Sequence, residues 1–177
     1  MSVTVVYAYE GVREMNAAAK EKLFEIYITE NLDSAYRFAY TYMKNRHDAE
    51  DVVSESVVRA LDAISTLRNP QYIKVWFYRI IANTALTALK KQSRYVSVDF
   101  TENAVEAEPG QDDYSDLYLN DILQELPEKY RAPVIMKICE GMTLAEIAKV
   151  LGINENTAKT RLYTAFGILR KKKEELV

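Results

Sequence analysis

Apolar residues recur at intervals of three and four through most of the chain, the spacing of a helix with one buried face. Leu23, Phe24 and Tyr27, followed by Leu32, Ala35, Tyr36, Ala39, Tyr40 and Met43, predict a first helical stretch. A second helix starts at Asp48, with Val52, Val53, Ser56, Val57, Ala60, Leu61 and Ile64 as its apolar stripe. Residues Thr66 to Gln71 read as a loop, and Pro70 suits the first turn of the next helix, where its missing N–H is not needed. That third helix carries Ile73, Trp76, Phe77, Ile80, Ile81, Thr84, Ala85, Ala88 and Leu89. Ahead of these, the β-branched run Val3–Tyr7 suits an extended arm.

The helical period stops between Ser93 and Asp113, a segment that contains Pro109-Gly110 and is acidic after Arg94. Structureless loops of about 20 residues are uncommon inside one domain, so this segment reads as a tether between two units. Beyond it, Leu117, Leu119, Ile122, Leu123 and Leu126 predict a short helix stopped before Pro127. A further helix covers Glu128–Glu140, with Pro133 expected to kink it or delay its start and Gly141 to end it. Two more helices complete the chain. The expected fold is all-α: an extension over 1–19, a three-helix unit over 20–95, a flexible acidic linker over 96–113 and a four-helix unit over 114–177. With only 5 glycines and 4 prolines the chain has little material for the many turns of a β fold.

The two last helices form a helix-turn-helix. Thr143 and Glu146 make a capping box that starts the first of them. Ala148 is small where the helices cross, and Gly152 permits the left-handed turn between them. Leu144, Ile147, Leu151, Ile153, Ala158 and Leu162 supply the shared core, and Asn154 caps the second helix. Its outer face then shows Glu155, Asn156, Lys159, Thr160 and Tyr163. Such a helix fits the major groove, its N-terminal half toward base edges and its basic groups toward phosphates. Arg161, Arg170, Lys171, Lys172 and Lys173 add positive charge. The alternative is an ordinary helical hairpin with a solvated basic tail, but cap, small residue, turn glycine and apolar spacing agree with one another.

Charge changes the picture by its distribution. The net charge of −3 argues against bulk attraction to nucleic acid. Yet residues 1–95 carry 13 basic and 11 acidic side chains, 96–120 none and 7, and 121–177 10 and 8. Two slightly basic units flank an acidic segment. Between Asn69 and Val98 there is no carboxylate, while Lys74, Arg79, Lys90, Lys91 and Arg94 alternate with Tyr72, Trp76, Phe77, Tyr78 and Tyr95. Basic charge among aromatics suits single-stranded nucleic acid, which offers phosphates and unstacked bases; for Trp76 and Phe77 a core role is preferred. Asp48, Asp51 and Glu55 share one stripe of the second helix. They either favour its positive end or dock a basic partner helix beside Val52, and the sequence leaves both open.

Three blocks carry a resemblance: DAEDVVSESVVRAL, VWFYRIIANTALTALKK and LPEKYRAPVIMKICEGMTLAEIAKVLGINENTAKTRLYTAFGILRKK. In this order and spacing they resemble the extracytoplasmic-function (ECF) sigma factors of the sigma-70 family, over about residues 20–95 and 115–173. The resemblance implies that Asp48, Asp51, Val52 and Glu55 bind the clamp helices of the largest subunit of bacterial core RNA polymerase. It implies that Arg68, Asn69, Gln71, Lys74, Arg79, Asn83 and Lys90 read the −10 element, where the duplex opens and a non-template base is captured. Asn156, Lys159, Thr160, Arg161, Tyr163 and Thr164 would read the −35 element, and the linker would thread toward the RNA exit path. Many members are held inactive by a membrane-anchored anti-sigma factor, so one is expected here. The chain departs from the family pattern at Asn156, often glycine, at Ala158, often valine, and at Thr164 and Phe166, often arginines; the missing arginines weaken phosphate contact on that face.

Other classes fit less well. A free-standing regulator would need a dimer interface or a stronger basic surface, and leaves 20–95 unexplained. A decoy that keeps polymerase binding without promoter melting would produce no promoter-specific RNA. An enzyme finds no support in the sequence: no metal-ligand cluster, phosphate-cradling glycine loop or nucleophile motif is visible, and no cofactor or metal is expected. The one histidine, His47, lies beside a helix start, where capping or solvent exposure is the ordinary explanation. The one cysteine, Cys139, excludes an internal disulfide and reads as a small buried hydrophobe rather than a reactive thiol. Without a signal peptide pattern or an apolar run of about 20 residues, the protein is expected in the cytoplasm, with no direct membrane insertion.

Overall fold

The computed structural model describes residues 15–96, Leu123 and 126–175. The arm at Val3–Tyr7, the linker beyond Val96 and most of the helix expected over Leu117–Leu126 lie outside the described residues. Among the described residues the helices α1 (Ala17–Met43), α2 (Arg46–Asp62), α3 (Ile73–Val96), α4 (Glu128–Ile138), α5 (Leu144–Leu151) and α6 (Glu155–Glu175) are defined. Short 3-10 turns at Ile64–Thr66 and Pro70–Tyr72 join α2 to α3. No helix among the described residues is long and apolar enough to cross a membrane.

The first three helices pack on one another around an aromatic core. Asn16 caps α1 by accepting from the Ala19 N–H at 2.9 Å. The helix breaks at Asn31 (φ −125°, ψ 19°), whose side-chain amide donates to the Tyr27 carbonyl at 2.8 Å. This shifts the phase of the buried face. Leu32, expected inward, is 51% exposed, while Ala35, Phe38, Ala39 and Tyr42 turn to the core. From α3, Phe77 meets Phe24 edge-on at 5.1 Å and Tyr27 at 6.2 Å, and Tyr78 lies 4.8 Å from Phe38. Phe24, Phe38, Phe77 and Tyr78 are all at most 1% exposed. Trp76 sits at the rim, edge-on to Phe24 and donating its indole N–H to the Thr66 hydroxyl at 3.1 Å.

Asn45 explains why α2 begins two residues earlier than expected. It accepts from the Asp48 N–H at 2.8 Å while its amide donates to the Asp48 carboxylate at 2.6 Å, so Asp48 closes a reciprocal cap rather than starting the helix. Before it, Lys44 ends α1 in the left-handed conformation, φ 62°. Leu61 is 43% exposed in the last turn of α2, whereas Ile64 is buried by the 3-10 turn.

In the second unit, α4 starts directly at Glu128 and runs through Pro133, whose ring is buried on the core face; the start is not delayed. Arg131 ties the preceding segment down, its Nε donating to the Leu123 and Leu126 carbonyls at 3.0 and 2.8 Å. Both leucines are buried. Burial lowers the Arg131 pKa, although a guanidinium, its charge delocalised, stays protonated in proteins. Gly141, φ 62°, turns the chain after α4. Cys139 is exposed, contrary to expectation, because the apolar run leaves the core after Met136 as α4 ends. α5 lies along α3 and α4 along α1, so the two units are in contact.

Deleting the ring that joins α1 to α3 removes buried area and leaves a cavity. Phe77→Ala is expected to lower unfolding free energy by about 3–5 kcal/mol, read from denaturant melts; a loss below about 1 kcal/mol would show that the core collapses around the gap.

Candidate nucleic-acid interface

The C-terminal motif forms as its caps dictate. The Thr143 hydroxyl accepts from the Glu146 N–H at 3.2 Å, and the Glu146 carboxylate accepts from the Thr143 N–H and hydroxyl, both at 2.8 Å. Those hydrogen bonds hold the Glu146 carboxyl below its ordinary pKa, against a smaller opposing effect of burial. Gly152 takes φ 64°, which an L side chain adopts only under strain. Asn154 then accepts from the Thr157 N–H at 2.7 Å and starts α6. Ile147, Ala158 and Leu162 form the shared core with Ala148, joined by Val150 and Ala165, which the spacing did not single out.

The outer face of α6 carries Asn156, Lys159, Thr160, Tyr163 and Thr164, all exposed. Tyr163 is 64% exposed, and the Lys159 ammonium lies 6.0 Å from its ring centroid. The cap is intact with Asn156 in place of glycine. Arg161 differs from the others: it is half-buried, and its guanidinium opposes the upward push that burial and Glu128 exert on the Tyr42 phenol of α1. It therefore points toward the first unit.

On α3, Arg79, Asn83 and Lys90 are exposed at spacings of four and seven, one helix face. Arg68 and Gln71 are exposed on the loop, and the Asn69 side chain is engaged as the cap of the 3-10 turn, accepting from the Gln71 N–H at 3.0 Å. Lys74 lies off this face: its ammonium is 2.9 Å from a Glu140 carboxylate oxygen and donates to the Glu140 carbonyl at 2.7 Å.

Asp48, Asp51 and Glu55 line a cleft between α2 and α3 together with Met43, Arg59, Ala88 and Lys91. Val52 is only 2% exposed, as its place in the apolar stripe implies, and forms the floor of that cleft beside the carboxylates. The stripe is partly engaged within its own helix. Arg59 donates to Glu55 at 2.6 Å, and His47, 85% exposed, lies 3.3 Å from Asp51. His47, Asp48 and Asp51 bring ligand-type atoms within 4.8 Å of one another, a grouping that the residue spacing did not bring to notice. The cap and the His47–Asp51 contact account for it, and nothing buried supports a cation there.

A helix-turn-helix beside a basic, aromatic-rich helix defines a helical protein with two separate DNA-reading faces. Residues 27–95 match the family described as Sigma-70 region 2, and residues 116–167 the one described as Sigma-70, region 4. Over 143 residues the chain is 41% identical to RNA polymerase sigma factor SigV of Bacillus subtilis, a match spanning 81% of this chain and 86% of that protein. It is 26% identical over 159 residues to ECF RNA polymerase sigma factor SigW of the same organism, spanning 81% and 85%. In fold it is similar to the sigma factor RpoE of Bartonella quintana, solved with the anti-sigma factor NepR (TM-score 0.73, 22% identity, 84% of this chain and 94% of that one). The chain belongs to the ECF sigma factors of the sigma-70 family. It binds core RNA polymerase and directs it to promoters for transcription initiation.

The capping box gives a stability test with a sign. Glu146 titrates below its unfolded value, so its contribution is present above the ordinary glutamate pKa of about 4.3 and is lost as pH falls through the lower folded value. Thr143→Ala should lower stability by about 1 kcal/mol at neutral pH, and the deficit should shrink below pH ~4. A deficit independent of pH would mean that the carboxylate does not take part.

Proposed function

We propose that the two faces divide promoter recognition between them. α6 enters the major groove of the −35 element through Asn156, Lys159, Thr160, Tyr163 and Thr164, with Arg161 closing on a phosphate. Arg68, Asn69, Gln71, Lys74, Arg79, Asn83 and Lys90 engage the opened −10 element. Asp48, Asp51 and Glu55, with Val52 as floor, form the docking cleft for core polymerase. Residues 20–95 and 114–177 act as the two functional units, and 96–113 as the tether. The observation that carries this reading is the run of exposed polar side chains on one face of a helix started by Asn154 and held from behind by Ala158, Leu162 and Ala165.

The electrostatics favour DNA reading on the polymerase rather than alone. A chain of net charge −3 with two modest basic faces binds duplex weakly. Carried by polymerase, both faces meet tethered DNA, and effective concentration replaces intrinsic affinity. Unstacking costs a few kcal/mol per base, about what capture of the exposed base and the polymerase's own contacts must offset. The protein needs no cofactor and performs no catalysis itself. It works in the cytoplasm, and an anti-sigma factor is a fitting regulator, since the sigma factor RpoE of Bartonella quintana was solved with one.

Transcription in vitro with purified bacterial core polymerase of the matching source on a promoter library tests this directly. Transcripts sharing two spaced upstream elements, produced only when the protein is added, are expected. Neither core binding nor transcripts would leave the free-standing regulator as the better reading. Asp51→Arg should weaken core binding by about tenfold or more, roughly 1.4 kcal/mol; an unchanged complex would remove Asp51 from the docking cleft. Lys159→Ala with Arg161→Ala should reduce −35-dependent initiation while leaving core binding intact, as measured by transcript yield beside gel-shift with polymerase.

A further inference from the structure

The outer face of α6 runs on past the residues assigned to it above. An α-helix turns about 100° per residue, so positions three, four, seven and eleven apart share a face. Counted from Lys159, Tyr163, Phe166 and Arg170 stand at such positions, within an arc of roughly 60°. All are exposed. With Asn156 they make one stripe along the helix, and Ala158, Leu162 and Ala165 hold it from behind.

Length decides what the far end of this stripe meets. From Asn156 to Arg170 the helix rises about 21 Å, while the major groove is about 12 Å wide. A helix that enters by its N-terminal half overruns the groove, and its last exposed side chains come to the sugar-phosphate wall. Between Arg161 and Arg170 the chain has no cation, only LYTAFGIL. Arg170 is therefore the next positive charge on this face after Lys159. It is also free to act: Arg46 and Arg59 are held by Glu50 and Glu55, whereas Arg170 has no ion pair among the described residues.

Gly167 points the same way. A glycine inside a helix lowers its stability relative to alanine. Here a Cβ would meet nothing within 4 Å, so packing does not explain the glycine. Four residues after Tyr163 and three before Arg170, it leaves that side of the helix bare, where a phosphodiester backbone can come close.

We propose that Arg170 binds a backbone phosphate at the edge of the −35 element, with Gly167 opening the approach, so that α6 is anchored at its far end by a contact independent of base sequence. The inference rests on the −35 reading of α6 made above. A guanidinium suits the task, since its planar fork takes two phosphate oxygens at once. The contact positions the helix rather than selecting bases, and it fixes the register in which Asn156, Lys159 and Tyr163 meet them.

The experiment uses the full chain bound to core polymerase of the matching source, on a promoter recovered from the transcription library. Methylphosphonate linkages, each removing one phosphate charge, are placed singly along both strands of the −35 element and its flanks, and holoenzyme affinity is measured. With the unaltered chain, several single replacements should each weaken binding several-fold. R170A should bind several-fold more weakly, and one phosphate at the edge of the element should cease to matter while the rest of the profile stays. Its slope of log affinity against log salt should become shallower by about 0.9. R170K should recover part of the affinity and the sensitivity to that phosphate. K171A, turned about 100° away, should keep the full profile. G167L, whose Cβ has room, should lose the same phosphate as R170A. Alanine and leucine are better helix formers than the residues they replace, so an unwound helix does not imitate these losses. An R170A profile identical to that of the unaltered chain overturns the proposal, as does a loss spread evenly over all phosphates; normal binding by G167L removes the open approach. Failure of the −35 reading would look different: the unaltered holoenzyme would bind a promoter with a scrambled −35 element as well as the intact one.

Discussion

Two adjacent residues of α3 hold α1 on both sides of its break: Phe77 grips Phe24 and Tyr27 ahead of Asn31, and Tyr78 packs at a tilt against Phe38 beyond it. Aromatic pairs of this kind contribute about 0.5–1.5 kcal/mol each beyond the area they bury. Their larger effect is geometric. They fix the angle at which α3 crosses α1, and that angle sets both the acidic cleft against α2 and the outward direction of Arg79, Asn83 and Lys90. The same α3 also supplies the floor on which α5 rests. One aromatic joint thus positions the acidic cleft, the basic face and the seat of the helix-turn-helix.

The parts legible in the sequence are those whose causes are local. Thr143 with Glu146, Gly152 and Asn154 act within three or four residues, so the boundaries of α5 and the start of α6 follow from spacing alone. The exposed face of α6 follows from the same phase. Asn31 was illegible for the opposite reason: asparagine is common enough inside helices that a break cannot be inferred, and missing it put Leu32 inside and overlooked Phe38 and Tyr42. Val52 was legible as part of the apolar stripe, but that it floors an acidic cleft depends on how closely α3 lies, which periodicity does not give. Cys139 looked buried because an apolar run does not say where the helix leaves the core. The burial of Glu140 depends on Lys74, Tyr27 and Tyr78, all far away in the chain, and no local pattern carries that information.

Charge is distributed with the same logic as packing. The acidic excess of the chain lies in residues 96–120, and some carboxylates of α1 and α2 are engaged in short-range pairs, such as Glu25 with Lys22 and Glu50 with Arg46. Exposed pairs of this type contribute little to stability, typically about 0–1 kcal/mol. They do trim the repulsion that a net negative surface would present to a polyanion.

The way α6 is anchored has a bearing on how such proteins diversify. Its inner side is fixed by Ala158, Leu162 and Ala165, and its start by Asn154, while Asn156, Lys159, Thr160, Tyr163 and Thr164 are exposed on the outer side. Exposed substitutions remote from caps and cores usually change stability by less than about 0.5 kcal/mol. New combinations on the outer face can therefore be sampled without eroding the fold. A genome that duplicates this scaffold can retarget one copy to a new set of genes by a handful of surface changes, none of which needs a compensating change in the interior.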